Sequence, residues 1–189
     1  MKAKLAKATN GVNIDRMKET IDAVKATPDL GKFKFRIANQ WVKCGENRSE
    51  VLPFSAGGTE IQHQTPLTLL ADEPDVLLGT DTGANPVEHL LHALASCVTT
   101  SMIYHAAARG IAVEQVESTL EGDLDLRGFL DLAPEVRKGY QGIRMKLRIK
   151  GDVTDEQLRE LASLGAKYSP VYDTLTKGVA VEVSAERSA

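Results

Sequence analysis

The stretch NPVEHLLHALASCVTTSMIYHAAARG, residues 85–110, decides how this chain folds. Pro86 suits the first turn of a helix, where its missing N–H has no partner to lose. Glu88 stands where a helix favours negative charge, and Gly110 supplies a stop. Between them Leu90, Leu91, Ala93, Leu94, Ala95, Cys97, Val98, Met102 and Ile103 cover more than one helical stripe. A helix apolar on most sides is buried on most sides. The reading predicts a long helix from Pro86 to about Arg109 at the centre of the fold.

Upstream lies a glycine- and aspartate-rich loop, Asp72-Glu73-Pro74 followed by Gly79 to Asn85. Before it the apolar period is that of strands. Phe33, Phe35 and Ile37 alternate with Lys34, Arg36 and Ala38, which predicts a half-buried strand. Gly45-Glu46-Asn47 reads as a turn, Glu50 to Phe54 as its return strand, and Thr65 to Leu70 as another. Nearer the start, Asn13 is positioned to cap a helix over Ile14 to Lys25, with Ile14, Met17, Ile21 and Val24 as its apolar stripe. Thr27-Pro28-Asp29 ends it. Residues 1–30 are expected to be an N-terminal helical extension outside a main domain spanning 31–189.

Downstream, Ala112 to Leu126 and Tyr140 to Ile149 read as strands joined by a polar stretch from Arg127 to Gly139. In the second, Ile143, Met145, Leu147 and Ile149 alternate strictly with Arg144, Lys146, Arg148 and Lys150. Thr154 with Gln157 makes a capping box that opens a helix to about Leu164. Ser169-Pro170 begins a short turn or helix, and Val179 to Val183 reads as a closing strand. The order of elements predicts an α+β fold, with curved antiparallel sheets around the long buried helix.

Hydrophobic residues make up 42% of the 189 and charged residues 26%, the balance of a globular chain and not of a disordered one. The net charge of -3, with scattered lysines and arginines, gives no footprint for nucleic acid. No apolar run approaches the roughly 20 residues of a membrane helix. The start, MKAKLAKATNGVN, lacks the apolar segment of a signal peptide. Two cysteines are too few for a disulfide framework, so a cytoplasmic location is expected. The four histidines form no metal-ligand set, and neither metal nor cofactor is expected.

Cys97 has two readings on residue type: a small hydrophobe packed in a buried helix, or an accessible thiol with chemistry. Glu88 is either a dipole-favoured surface carboxylate or part of a site, and Arg48 is either a solvated loop charge or a site cation. His105 lies two turns beyond Cys97, roughly 12 Å along the axis, too far for a thiolate–imidazolium pair.

The run from Gly83 to Cys97, with its proline, its glutamate and the small apolar residues before the cysteine, resembles the signature of the OsmC and organic hydroperoxide reductase family. Tyr168-Ser169-Pro170-Val171-Tyr172-Asp173-Thr174-Leu175 is similar to that family's second motif. The resemblance runs from about Lys32 to the C-terminus. It implies an intertwined homodimer with an active site at each subunit interface and no cofactor. It further implies a thiol-dependent peroxidase of oxidative-stress defence. In such an enzyme the Cys97 thiolate attacks an organic hydroperoxide, Arg48 stabilises the thiolate, Glu88 orients Arg48, and an external thiol is the reductant. Two departures matter. In the hydroperoxide-reductase branch the glutamate stands one place earlier, at Val87 here. The resolving cysteine is replaced by Ser169, whose hydroxyl cannot form a disulfide. Cys44, four residues before Arg48, is the candidate substitute, unless it is an ordinary thiol at a strand end. The rival reading is a binding protein that keeps the fold with little peroxidase activity. Glu88 and Cys97 are nine positions apart and so on opposite faces of one helix. If they share a site, the glutamate comes from the partner subunit.

Overall fold

The computed structural model describes residues 8–188, and the chain divides into two compact units, 1–92 and 93–189. The basic start, residues 1–7, lies outside the described residues.

In the first unit, β1 (Ala8–Thr9) and β2 (Val12–Asn13) form a minimal hairpin. Its turn is Asn10-Gly11, both at positive φ (54° and 76°), the pair of residue types that such a turn demands. Helix α1 (Ile14–Ala26) follows, and the Asn13 side chain accepts a hydrogen bond from Arg16 N–H at 2.9 Å, as the capping pattern requires. None of its residues is buried.

The strand expected through Phe33, Phe35 and Ile37 is broken in two. β3 (Phe33–Lys34) and β4 (Ile37–Lys43) belong to different sheets. Arg36 sits at the break, its guanidinium donating to both carboxylate oxygens of Glu60 and to the Pro53 carbonyl. The return strand β5 (Glu46–Val51) starts earlier than expected, because the turn is Cys44-Gly45 and the ladder resumes at Lys43 opposite Glu46. Pro53, with no N–H to donate, separates β5 from β6 (Phe54–Ala56). β7 (Thr59–Ile61) and β8 (Thr68–Ala71) complete two antiparallel sheets, in the orders β3-β6-β7 and β4-β5-β8.

Helix α2 (Pro86–Ala108) starts in this unit and runs into the second. Gly110 follows it at φ +71°, the left-handed stop expected of it. The all-round burial predicted for α2 is not met within one chain. Its buried residues Leu94, Val98, Met102 and Ala106 recur every four positions as a single stripe, with Ala107 beside it. Leu90 and Tyr104 are exposed.

In the second unit β9 (Gln115–Asp123) and β10 (Gly142–Lys150) pair antiparallel from Gln115–Lys150 to Asp123–Gly142. Ile143, Met145, Leu147 and Ile149 turn inward and the intervening cations outward, as the alternation predicts. The one-turn α3 (Leu126–Phe129) lies in the connection, which is less polar at its surface than expected, with Phe129, Leu130 and Leu132 exposed. Helix α4 (Asp155–Lys167) carries the predicted capping box, with Thr154 and Gln157 each bonding the other's backbone N–H. Helix α5 (Pro170–Lys177) begins at an N-cap, Ser169. The core is Met102, Ala106, Ile111 and Leu161, with Val113, Val116, Leu147, Ile149 and Val153 packed against it. The strand expected over Val179 to Val183 does not form. The segment has no secondary structure, and its three valines are 68%, 78% and 91% exposed. A strand needs a neighbour to take its backbone hydrogen bonds, and none pairs with it among the described residues.

The α+β class with antiparallel sheets stands. Among the described residues no helix is long and apolar enough to cross a membrane.

Candidate functional site

Cys97 lies midway along α2, half-buried, next to Val98 of the buried stripe. Its thiol has no hydrogen-bond partner among the described residues. The α4–α5 junction packs beside the same part of α2. Ser101, one turn after Cys97, donates its hydroxyl to the Tyr168 carbonyl at 3.2 Å. Gly165 fits against Val98 so closely that a Cβ there would stand 2.9 Å from the Val98 carbonyl oxygen. His105 stacks on the Tyr168 ring, with centroids 3.9 Å apart. Burial first, then the charges of Arg109 and Lys167, hold the His105 imidazole below its ordinary pKa. Ser169 is 1% exposed, and its Oγ accepts the Tyr172 N–H at 3.1 Å. That hydroxyl is a helix cap.

The other sequence-derived candidates belong to the first unit. Arg48 is not in a loop, as expected, but inside β5, paired with Gln40 on one side and Leu70 on the other. The early turn at Cys44-Gly45 draws it into the ladder. Its guanidinium is exposed and makes no hydrogen bond or ion pair among the described residues. With Ala38, Asn39, Gln40 and Glu50 it lines a cleft of about 340 Å³. Cys44 occupies the turn at φ +44°, with its Sγ donating to the Leu78 carbonyl at 2.6 Å and its own carbonyl accepting from Trp41 Nε1.

Glu88 reaches back to the N-cap at the start of α2. Its Oε2 accepts the Asn85 N–H at 2.8 Å, while Asn85 Oδ1 accepts the Val87 N–H at 2.8 Å. One carboxylate oxygen is therefore committed to the backbone, and Glu88 makes no ion pair with Arg48. His89 ties the helix start to β8 through its contact with the Leu70 carbonyl at 2.8 Å.

Sequence reasoning missed Asp72. This carboxylate, 1% exposed, takes the Glu73 N–H on Oδ1 and the backbone N–H and hydroxyl of both Thr80 and Thr82 on Oδ2. The Thr80 hydroxyl is foremost in holding its pKa well below the usual carboxylate range. Asp72 thus fixes the loop leading into α2, and Asn85 adds a bond to Glu73. The signal was present as Thr80-Asp81-Thr82, whose hydroxyls suit an acceptor, but nothing local names that acceptor. Among the described residues no group of three or more His, Cys, Asp or Glu side chains could hold a metal ion.

Solved structures share this fold at low sequence identity. An OsmC-like protein from Mycoplasma pneumoniae superposes with a TM-score of 0.58 at 20% identity, over 77% of this chain and 89% of that one. An organic hydroperoxide resistance protein OsmC from Legionella pneumophila gives 0.52 at 18%, over 77% and 90%. An OsmC-like protein of unknown function from Vibrio cholerae gives 0.57 at 15%, over 76% and 94%. No functionally curated protein matches the chain in sequence. The family model for OsmC-like proteins matches residues 79–184, from the loop before α2 through α5 and beyond. That match covers more than half of the 189 residues and takes in both motifs, and by it the chain belongs to the OsmC-like family.

Proposed function

We propose that this protein is a thiol-dependent peroxidase that reduces organic hydroperoxides through Cys97, in cytoplasmic oxidative-stress defence. The observation that carries the proposal is a half-buried, unengaged thiol on α2, within the segment that matches the OsmC-like family model. The Legionella pneumophila relative, an organic hydroperoxide resistance protein, supports the substrate class. In the reaction the Cys97 thiolate attacks one peroxide oxygen and the O–O bond breaks. The alkoxide leaves and takes a proton to become an alcohol, and the sulfur keeps the oxygen as a sulfenic acid. An external thiol then forms a mixed disulfide with loss of water, and a second thiol releases Cys97. Arg48 supplies the cation that favours the thiolate, and the uncommitted Oε1 of Glu88 is a carboxylate able to orient it. Cys44 is the candidate resolving residue within the chain. No cofactor takes part.

The working unit is a homodimer with a site at each interface. Ile37, Trp41, Leu69 and Leu70 are all exposed on the β4-β5-β8 sheet, an apolar surface that a second copy would cover. Residues 1–30 are an extension of the domain at 31–189, a division supported by the absence of any buried residue in α1.

A second reading has an observation of its own. The hydroxyl of Ser169 is buried and already used as a cap, so the family's usual resolving thiol is missing and a binding protein on the same fold would show the same feature. One experiment separates the two: intact mass after one equivalent of cumene hydroperoxide, with dimedone present. A dimedone adduct on Cys97 is the expected result. An unmodified Cys97 would leave the binding protein.

A further inference from the structure

His105, near the end of α2, sits in a charged corner made wholly within the second unit. Its ring stacks on Tyr168, with centroids 3.9 Å apart and planes 21° from parallel. Arg109, one turn on, places Nη1 3.4 Å from His105 Nδ1 and donates to the His105 carbonyl as well. A guanidinium has only N–H groups to offer, so that ring nitrogen is an unprotonated acceptor and the imidazole is neutral. Lys167 brings a second cation, its Nζ 5.1 Å from the centre of the Tyr168 ring. The carboxylate in the corner, Glu160 on α4, is taken by Arg109 at 3.2 Å. Burial and the two cations accordingly hold the imidazole below its ordinary pKa.

The stacked ring bears on the α4–α5 junction. Tyr168 closes α4, Ser169 caps α5, and Ser101 bonds the Tyr168 carbonyl to α2 at 3.2 Å. Further along α4, Leu161 and Gly165 meet α2 through uncharged packing. A change of charge at His105 therefore acts on the junction and leaves the body of α4 seated. We infer that His105 is an acid-sensitive latch: neutral, it clamps Tyr168 against α2; protonated, it adds a third positive charge beside Arg109 and Lys167, and the α4–α5 junction loosens from the turn of α2 that follows Cys97. An imidazolium would be attracted to a tyrosine ring on its own, but Lys167 already draws on that ring and Arg109 stands against the nitrogen. The fold favours the neutral ring, so the clamp is complete above the ordinary value of 6.5. It weakens as pH falls below that value, because the released histidine takes up a proton more readily than the clamped one. The latch is independent of the chemistry proposed for Cys97.

The test is hydrogen exchange of the full chain from about pH 7.5 to about 5, corrected for intrinsic rates. This window lies above the range in which Asp72 takes up its proton. The reporters are the amides of Tyr168, Ser169 and Tyr172, bonded to the Leu164 and Ala166 carbonyls and to Ser169 Oγ. In the parent their protection should fall with pH, tenfold for each unit by which NMR places the His105 midpoint below 6.5. His105→Phe keeps a ring that can stack but cannot titrate, and its protection should stay level across the window. Lys167→Gln should raise the His105 midpoint and shrink the loss of protection in step. An equal loss in His105→Phe overturns the inference, as do parent amides that stay protected while His105 is seen to protonate. If His105→Phe does not fold, the exposed Lys167→Gln decides alone: a raised midpoint with an undiminished loss overturns the latch.

Discussion

Ser169→Ala removes one hydroxyl, and the structure says what that hydroxyl does. Its Oγ is the side-chain acceptor for the Tyr172 N–H at the start of α5, and it is shielded from water at 1% exposure. Loss of a serine cap costs roughly 0.5–2 kcal/mol, and a partly buried donor left without a partner pushes the value to the upper half, about 1.5–2 kcal/mol. For a chain of this size each kcal/mol lowers the melting temperature by about 2–4 °C, so a fall of about 3–8 °C is expected. Part of the loss can stay local, because α5 contains no buried residue. Thermal melts should therefore be paired with hydrogen exchange of the Tyr172 and Asp173 amides, which should lose protection. Ser169→Cys is the functional counterpart. It restores a sulfur at a junction tied to α2 by the Ser101–Tyr168 bond, one turn from Cys97. If the two Cα atoms come within about 7 Å, stoichiometric peroxide should join Cys97 to the introduced thiol as a disulfide, with loss of water from the sulfenic acid. An unchanged melt together with unchanged amide protection in Ser169→Ala would refute the capping role. A Ser169→Cys protein that stops at the sulfenic acid would refute the placing of position 169 beside Cys97.

Lowering the pH should strain the loop before α2. Asp72 has its folded pKa depressed, so its contribution is complete above the ordinary carboxylate value near 4 and is lost as pH falls through and below it. Asp72→Asn should flatten the acid limb of a stability–pH curve, and an identical limb in both proteins would count against the latch. Leu161→Ala, at a fully buried core position, should cost about 2–5 kcal/mol in urea unfolding. The His105 imidazole should titrate below the ordinary histidine value by NMR, and Lys167→Gln should move it upward, since Lys167 is one of the charges that hold it down. Peroxide should take Cys97 of the Cys44→Ser variant through sulfenic acid to over-oxidation, as in the parent, if the turn thiol does not resolve it; a Cys44–Cys97 disulfide in the parent would reverse that expectation.

Features written within a few residues of one another were legible in the sequence. Asn13 and Arg16, Thr154 and Gln157, Gly110 after α2 and the alternation of β10 are all local, and each is where the pattern predicts. Features set by distant partners were not. The break at Phe35-Arg36 follows from Glu60, twenty-four residues on, and the Asp72 hub depends on threonines eight and ten residues away. Val179, Val181 and Val183 have the alternation of a strand, but alternation cannot supply the neighbour that would make it one. For the site, the motif picks out Cys97. The bond from Asn85 N–H to Glu88 is equally local, yet the helix dipole alone already accounts for a glutamate there and hides it. Arg48 reads as a loop residue because the turn closes sooner than its glycine and asparagine suggest.

The loop held by Asp72 also bears on how this protein can change over generations. At Gly79 a Cβ would stand 1.7 Å from the Glu73 carbonyl oxygen, and at Gly83 it would stand 2.8 Å from that of Leu70. Backbone, and not a yielding side chain, fills both spaces, so neither position has a tolerated neighbour in codon space. Thr80 and Thr82 each contribute a hydroxyl and an N–H to one oxygen, so losing either leaves the other still bonded. In a saturation library the glycines should be nearly empty of survivors, while the threonines should tolerate serine together and valine singly, and fail when both become valine.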